Sequence, residues 1–183
     1  MAKHKFQLPV SVSGKDAWEV AREVSLTAGE ILLDWWPRAK EVSDKGQNDI
    51  VTNVDRECED HIRTAIRRHF PEHGVFGEEG KGDDPTIGWT WIIDPIDGTQ
   101  NYAWGIPCFS IVVALAKDGE VVTGANFDPL NNEMFHAARG QGAFLNEEKI
   151  RVSDLSEFQD VVIGTDPAYG PVEGTTNTLQ MLR

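Results

Sequence analysis

Two aspartates lie three residues apart where an apolar run ends, in residues 91–105, WIIDPIDGTQNYAWG. The apolar run predicts a strand that Asp94 closes, followed by a turn that Pro95 stiffens and that carries Asp97. Asp-Pro and Asp-Gly are common turn dipeptides, so this string alone is about equally consistent with an ordinary turn. Two carboxylates that face the same point, however, repel each other unless a cation lies between them.

The chemistry of these residues favours a hard divalent cation beside an anion. Oxygen ligands with no His or Cys nearby are typical of Mg²⁺ rather than of zinc. Gly98 lets the backbone approach a ligand closely, and a helix that began here would offer the free N–H groups of residues 98–101 to an anion. Thr99 adds a hydroxyl beside both. The sequence therefore favours a metal and phosphate site over a turn alone.

The longer string WIIDPIDGTQNYAWGIP resembles the signature of the inositol monophosphatase family, D-P-[IL]-D-G-T-x-N-[FY]. Three further blocks resemble other N-terminal blocks of that family, in the family's order: NDIVTNVDRECE at 48–59, PEHGVFGEEG at 71–80 and ARGQGAFLNEEKIRVS at 138–153. The resemblance covers about residues 16–165. It implies an α+β fold of the family's layered αβαβα sandwich type, and Mg²⁺-dependent, lithium-sensitive hydrolysis of a small phosphate monoester, such as inositol 1-phosphate, by a metal-activated water.

The resemblance also implies roles for individual residues, in three overlapping groups. These are the metal ligands Glu78, Asp94, Asp97 and the carbonyl of Ile96, the catalytic residues Asp55, Glu78 and Thr99, and the substrate-binding residues Asp97, Gly98 and Thr99. Glu78 is preferred to Glu79 because the family ligand is the first glutamate after the glycine, although GEEG alone would be typical of a solvated acidic loop. Lys45 matches, less closely, a basic residue of a family loop.

The same resemblance implies two or three Mg²⁺ ions, with Mn²⁺ as a substitute and Li⁺ as an inhibitor, and a homodimer. Fructose-bisphosphatase, histidinol-phosphatase and bisphosphate nucleotidase activities stay open as alternatives, as does a weakly active or inactive metal- or phosphate-binding fragment that needs a partner chain. The family's second signature, W-D-x-[AG]-[AG], does not occur in these 183 residues. We therefore expect a leader over 1–14 and, over 15–183, the N-terminal portion of the fold.

Composition restricts the partners. The formal net charge is −13, which argues against nucleic acid or an anionic membrane surface because both are polyanions. It would also repel a phosphorylated metabolite unless some carboxylates hold cations. Cys58 and Cys108 show no metal-binding spacing, and no signal-like N-terminus is apparent, so a reduced, cytoplasmic protein is expected. No apolar run reaches membrane-spanning length.

Hydrophobic spacing predicts the elements that position these residues. Helices are expected over 16–36 and about 54–70, each followed by a proline, with an irregular polar segment over 38–53. Strands are expected over 88–94, in a hairpin over 109–127 around Asp118-Gly119, and over 132–138, 142–146 and 160–166. Both histidines of the pair His69 and His73 are expected at the surface. Helices followed by strands indicate the α+β class.

Overall fold

The computed structural model describes residues 6–46, 49–79 and 82–162. Within them the helices are α1 (Ala17–Trp35), α2 (Asn53–His69), the short α3 (Thr99–Trp104) and a 3₁₀ turn at Phe158–Asp160. The predicted helices over 16–36 and 54–70 are confirmed to within a residue at each end. The α+β class is confirmed as well.

Capping side chains explain where the two long helices begin. Asp16 accepts a hydrogen bond from the Glu19 amide at 2.9 Å, and Glu19 accepts one from the Asp16 amide at 2.8 Å. Thr52 and Asp55 form the same reciprocal box at the start of α2. Each box satisfies backbone donors that a helix N-terminus otherwise leaves unpaired. The start of α2 matters for the site, because its cap fixes the Asp55 side chain.

The strands form two sheets. β1 (Val42–Gly46) and β2 (Asp49–Thr52) pair antiparallel in a small hairpin. The second sheet has seven strands in chain order: β3 (Gly74–Gly77), β4 (Trp89–Asp97), β5 (Ser110–Lys117), β6 (Glu120–Asp128), β7 (Glu133–Ala138), β8 (Gly142–Leu145) and β9 (Glu148–Ile150). β3 and β4 run parallel, and every other neighbouring pair in this sheet is antiparallel.

The core lies between one face of this sheet and the helix pair. Helix α1 packs on β5 and β6, α2 packs on β4, and the two helices pack on each other. Alternate residues of the central strands are buried, such as Trp91 and Ile93 on β4 and Val113 and Leu115 on β5, because successive side chains of a strand point to opposite faces. One helix layer and one sheet layer of the expected sandwich are therefore present in the described residues.

Several sequence expectations need correction. The segment over 38–53 is not irregular but contains the β1–β2 hairpin, and the short strands β3 and β9 were not predicted. The strand expected over 160–166 is absent from its described part, since Asp160 ends a 3₁₀ turn and residues 161–162 have no regular structure. Residues 163–166 lie outside the described part. The strand expected to end at Asp94 continues to Asp97.

The described part of the expected leader, residues 6–14, is held against the core. Leu8 is buried, the Val12 amide donates to the His69 carbonyl, and Val10 forms an isolated bridge with Asp16. These contacts tie the chain ahead of α1 to the end of α2.

No helix among the described residues is long and apolar enough to cross a membrane.

Candidate active site

A break in the pairing of β4 brings the two aspartates of the signature to one side. Asp94 pairs with Val112 on β5 and Asp97 pairs with Ser110, so three steps along β4 match two steps along β5. Residues three apart in a regular strand point to opposite faces, and the extra residue of a bulge restores a common side. Pro95, which lacks an N–H, is tolerated at such a break. The amide of Ile96 also donates to Asp94 Oδ1 at 3.1 Å.

Glu78 reaches the same place from the neighbouring strand. β3 pairs parallel with β4 through Gly77 and Ile93, and the Glu78 amide donates to the Ile93 carbonyl at 3.3 Å. Because the strands run in the same direction, Glu78 follows β3 beside the point where Asp94 follows Ile93. Its carboxylate interacts with that of Asp94 by charge and by a hydrogen bond.

Electrostatics in this cluster are unfavourable as it stands. Burial, followed by the neighbouring carboxylates of Glu78 and Asp97, raises the pKa of Asp94 to about 8. A divalent cation would relieve that repulsion, and a set of carboxylate and carbonyl oxygens is the donor chemistry that Mg²⁺ or Mn²⁺ prefers. Among the described residues, no three His, Cys, Asp or Glu side chains are arranged so that they would enclose an ion as they stand. The donors therefore fit a divalent cation in kind, without forming a closed cage.

Asp55 and Thr99 meet next to these carboxylates. Asp55 is 1% exposed, and its Oδ1 accepts a hydrogen bond from Thr99 Oγ1 at 3.0 Å. Thr99 Oγ1 also lies 2.9 Å from the carbonyl oxygen of Ile96. Burial raises the pKa of the Asp55 carboxyl, and hydrogen bonds from Thr52 and Thr99 act against that rise. Asp55 is the third residue of α2 and completes the capping box whose N-cap is Thr52.

Gly98 turns the chain from β4 into α3. Its φ of 92° is in the left-handed region, and a Cβ there would lie 2.9 Å from the carbonyl oxygen of Cys108. Glycine is the residue that fits both conditions. The helix considered possible from the sequence does begin at this point, at Thr99, so the amides of Gly98 and Thr99 follow directly on Asp97.

The structure thus brings together the residues that the sequence proposed. The Thr99 hydroxyl lies within hydrogen-bonding distance of both Asp55 and the Ile96 carbonyl, while Glu78, Asp94 and Asp97 interact electrostatically. Gly98 lies between them in the chain, directly after Asp97 and directly before Thr99. Lys45 lies in β1, and its side chain is outside the part of the chain that the structure describes.

Residues of α2 behind the cluster were not given a role in the site from the sequence. The thiol of Cys58 donates to the Pro95 carbonyl at 3.6 Å, and burial keeps its pKa well above the usual range. Glu59 and Arg63 form a buried ion pair next to β3. The only sequence signal for this pair was the four-residue spacing of an acid and a base on one helix, which is common on solvated helix surfaces.

Comparison with known proteins shows the family to which the chain belongs. A family model described as the inositol monophosphatase family matches residues 15–182. The chain belongs to the inositol monophosphatase family. The resemblance carried by residues 91–105 is thereby confirmed.

Individual relatives give the same result. Inositol monophosphatase 1 of Solanum lycopersicum is 39% identical over 151 residues, which is 80% of this chain and 55% of the tomato protein. A Thermotoga maritima protein named fructose-1,6-bisphosphatase/inositol-1-monophosphatase is 43% identical over 141 residues, covering 75% of this chain and 53% of that protein. The solved structure of the suppressor protein SuhB from Bartonella henselae has a TM-score of 0.72 at 34% identity, covering 75% of this chain and 54% of that one. The chain thus matches about half the length of these relatives.

Proposed function

We propose that this chain carries the catalytic carboxylates of a magnesium-dependent phosphatase that acts on a small sugar or polyol phosphate. The observation that carries the proposal is the cluster of Glu78, Asp94 and Asp97, which raises the pKa of Asp94 and lies beside the hydrogen bond between Thr99 and Asp55. Such a cluster is costly for folding alone and becomes useful with a bound cation. Membership of a phosphatase family supports the same reading.

The residues that would hold the ions are Glu78, Asp94, Asp97 and the backbone carbonyl of Ile96. When bound, divalent cations lower the pKa of a coordinated water toward neutrality and offset the negative charge that develops on a phosphoryl group. Mn²⁺ is expected to substitute for Mg²⁺, and Li⁺ to inhibit. Further ligands of a second or third ion would come from outside this set of four.

Asp55 and Thr99 would orient the attacking water. Because the Thr99 hydroxyl donates its proton to Asp55 Oδ1, the Thr99 oxygen keeps lone pairs that can accept a proton from water. Asp55 is buried and its pKa is raised, so its carboxylate is a better proton acceptor than an exposed aspartate. The amides of Gly98 and Thr99 would bind phosphate oxygens. The chain's own residues thereby position a nucleophile and an anion side by side.

Substrate identity is proposed at the level of the class. The tomato relative is named for inositol monophosphatase and the Thermotoga relative for two activities, fructose-1,6-bisphosphatase and inositol-1-monophosphatase. We therefore propose a phosphate monoester of a polyol or sugar, with inositol 1-phosphate first and fructose 1,6-bisphosphate second. A homodimer in a reducing cytoplasm is the setting we propose, and both cysteines are free thiols.

A substrate panel tests the proposal. Phosphate release from inositol 1-phosphate, fructose 1,6-bisphosphate, histidinol phosphate and a nucleoside bisphosphate should depend on added Mg²⁺. The double variant Asp94→Asn, Asp97→Asn should reduce release to the uncatalysed background, because the donor oxygens lose their charge. Asp154→Asn is the matched control, since Asp154 lies far from the cluster in sequence and its side chain is 83% exposed. Unchanged turnover by the double variant would refute the site assignment.

The second candidate function is cation or phosphate binding without turnover until a partner chain completes the site. This candidate is supported by the described carboxylates, which do not form a closed cage around an ion as they stand. It predicts Mg²⁺ or Mn²⁺ uptake by a folded chain with no phosphate release on any substrate of the panel. The molecular mass in solution should be measured on the same sample, so that aggregation is not read as lack of activity.

A further inference from the structure

A buried ion pair lies beside β3, the strand that Glu78 follows. Arg63 Nε donates to Glu59 Oε1 at 2.8 Å, and the two side chains are 11% and 5% exposed. The residues are one turn apart on α2, which places them on the same face. Burying two charges costs desolvation energy that their attraction does not reliably repay, so such a pair is weak evidence for a role in stability alone. The other hydrogen bonds of Glu59 and Arg63 indicate a role in positioning the chain near Glu78.

Both partners also hold the backbone on either side of Glu78. Arg63 Nη1 donates to the Val75 carbonyl at 3.1 Å. The Glu79 amide donates to Glu59 Oε2 at 2.8 Å. The ion pair therefore fixes the chain three residues before Glu78 and one residue after it. Hydrogen bonds to charged partners are stronger than those between neutral groups, so these two contacts restrain the backbone around Glu78.

Gly77 shows how closely the pair approaches the chain. A Cβ at this position would lie 2.6 Å from Glu59 Oε1 and 2.7 Å from Arg63 Nη2, both far inside contact distance. The charged groups occupy the space that any larger residue at 77 would need. The residue immediately before Glu78 is thus packed directly on the ion pair.

We infer that Glu59 and Arg63 are positioning residues that set where the Glu78 carboxylate stands relative to Asp94. The inference rests on the proposed function, in which Glu78 is a metal ligand, and it concerns residues outside the proposed set of ligands. Asp94 and Glu78 are in hydrogen-bonding contact, so a small displacement of the β3 end changes the donor set. Misplacement by about 1 Å can cost on the order of a hundredfold at a catalytic group.

Two variants test the inference without removing a ligand. Glu59→Gln keeps an acceptor oxygen but loses the charge, and Arg63→Lys keeps the charge but loses the reach to Val75. We expect each to weaken Mn²⁺ binding, measured by calorimetry, by about tenfold, as is typical for residues that support metal ligands. In the cation-free protein, hydrogen exchange of the Glu79 amide, followed by NMR, should become faster in Glu59→Gln.

Ile66→Ala is the matched control. Ile66 is fully buried on the same helix, so this variant lowers the melting temperature, yet it makes none of the hydrogen bonds described above. It should leave Mn²⁺ affinity and Glu79 exchange unchanged under conditions where all variants are folded. If Glu59→Gln does not fold, Arg63→Lys carries the affinity test.

The outcomes are separable. Wild-type Mn²⁺ affinity in either variant, or an equal loss in Ile66→Ala, would overturn the inference. Unchanged Glu79 exchange in Glu59→Gln would also overturn it, because the charge of the Glu59 carboxylate would then contribute nothing to holding that amide. If the unchanged chain binds no Mn²⁺ at all, the proposed function fails and the metal-positioning role fails with it, while the Glu79 exchange rate still shows whether the ion pair holds the backbone.

Discussion

Asp94 combines burial with two like-charged neighbours, and this makes its protonation sensitive to both pH and cations. With a folded-state pKa of about 8 against 3.8 for the free side chain, the folded protein keeps a proton that the unfolded chain releases. Below both values, the two states bind the same proton. Between about pH 4 and pH 8 the free energy of unfolding should therefore fall as pH rises, by at most about 1.4 kcal/mol per pH unit.

Magnesium should reverse this trend. At pH 5 an ion must displace the proton of the cluster, whereas at pH 8.5 it meets carboxylates that repel each other, so its stabilising effect should be larger at pH 8.5. Thermal melts with and without Mg²⁺ at several pH values measure this, and Asp94→Asn should flatten the dependence. An equal Mg²⁺-induced shift in melting temperature at pH 5 and at pH 8.5 would contradict the assignment of Asp94 as a ligand.

At the scale of elements, the junction of β4 and α3 sets the positions of the site residues that belong to the signature. The bulge between Asp94 and Asp97 aligns the carboxylates, and the left-handed turn at Gly98 starts α3 directly afterwards. Asn101 of α3 donates to the Cys108 carbonyl at 2.8 Å, which ties the short helix to the chain entering β5. This strand end and this turn therefore set the positions of Asp94, Asp97 and Thr99.

Gly98→Ala tests this junction, and Gly105→Ala is its control. Both glycines have positive φ, of 92° and 74°, but a Cβ at 98 would strike the Cys108 carbonyl while a Cβ at 105 would meet nothing within 4 Å. Each alanine should cost about 1–2 kcal/mol for the left-handed backbone, and Gly98→Ala should cost more because of the collision. Chemical denaturation of both variants measures the difference. Equal losses would show that the close approach at Gly98 is unimportant.

Much of the fold could be predicted from local signals. Asp16 and Pro37 bracket α1, and Asp118-Gly119 forms the β5–β6 turn with φ values of 50° and 84°, as the dipeptide predicts. The β1–β2 hairpin was missed because VSDKG and DIVT lack a clear apolar alternation. His73 was expected at the surface, but it is only partly exposed and stacks on Phe70 and Trp89. The contact with Trp89 could not be expected from the sequence, because Trp89 lies on β4, far from His73 along the chain.

The site was predicted less completely than the fold. The residues of the signature follow one another in the chain, so their proximity could be expected from the sequence. The bulge that aligns Asp94 and Asp97 depends on pairing with β5 and has no reliable sequence signal. The contact of Glu59 with the Glu79 amide, across 20 residues of chain, likewise depends on how α2 packs beside β3.

At the scale of the whole molecule, net charge and site chemistry must be considered together. A chain with a formal net charge of −13 repels a phosphate ester at long range. Cations bound by Glu78, Asp94 and Asp97 would reverse the local sign and give the ester a favourable place to bind. Cation uptake must therefore precede any phosphatase chemistry at this site.

Calorimetric titration of the folded, cation-free chain with Mn²⁺ tests this claim most directly. We expect saturable binding that competes with Mg²⁺, is weakened at pH 5 and is lost in the Asp94→Asn, Asp97→Asn double variant, with Asp154→Asn unchanged. Absence of any saturable uptake by a chain shown to be folded, or equal uptake by the double variant, would contradict a cation site at these carboxylates.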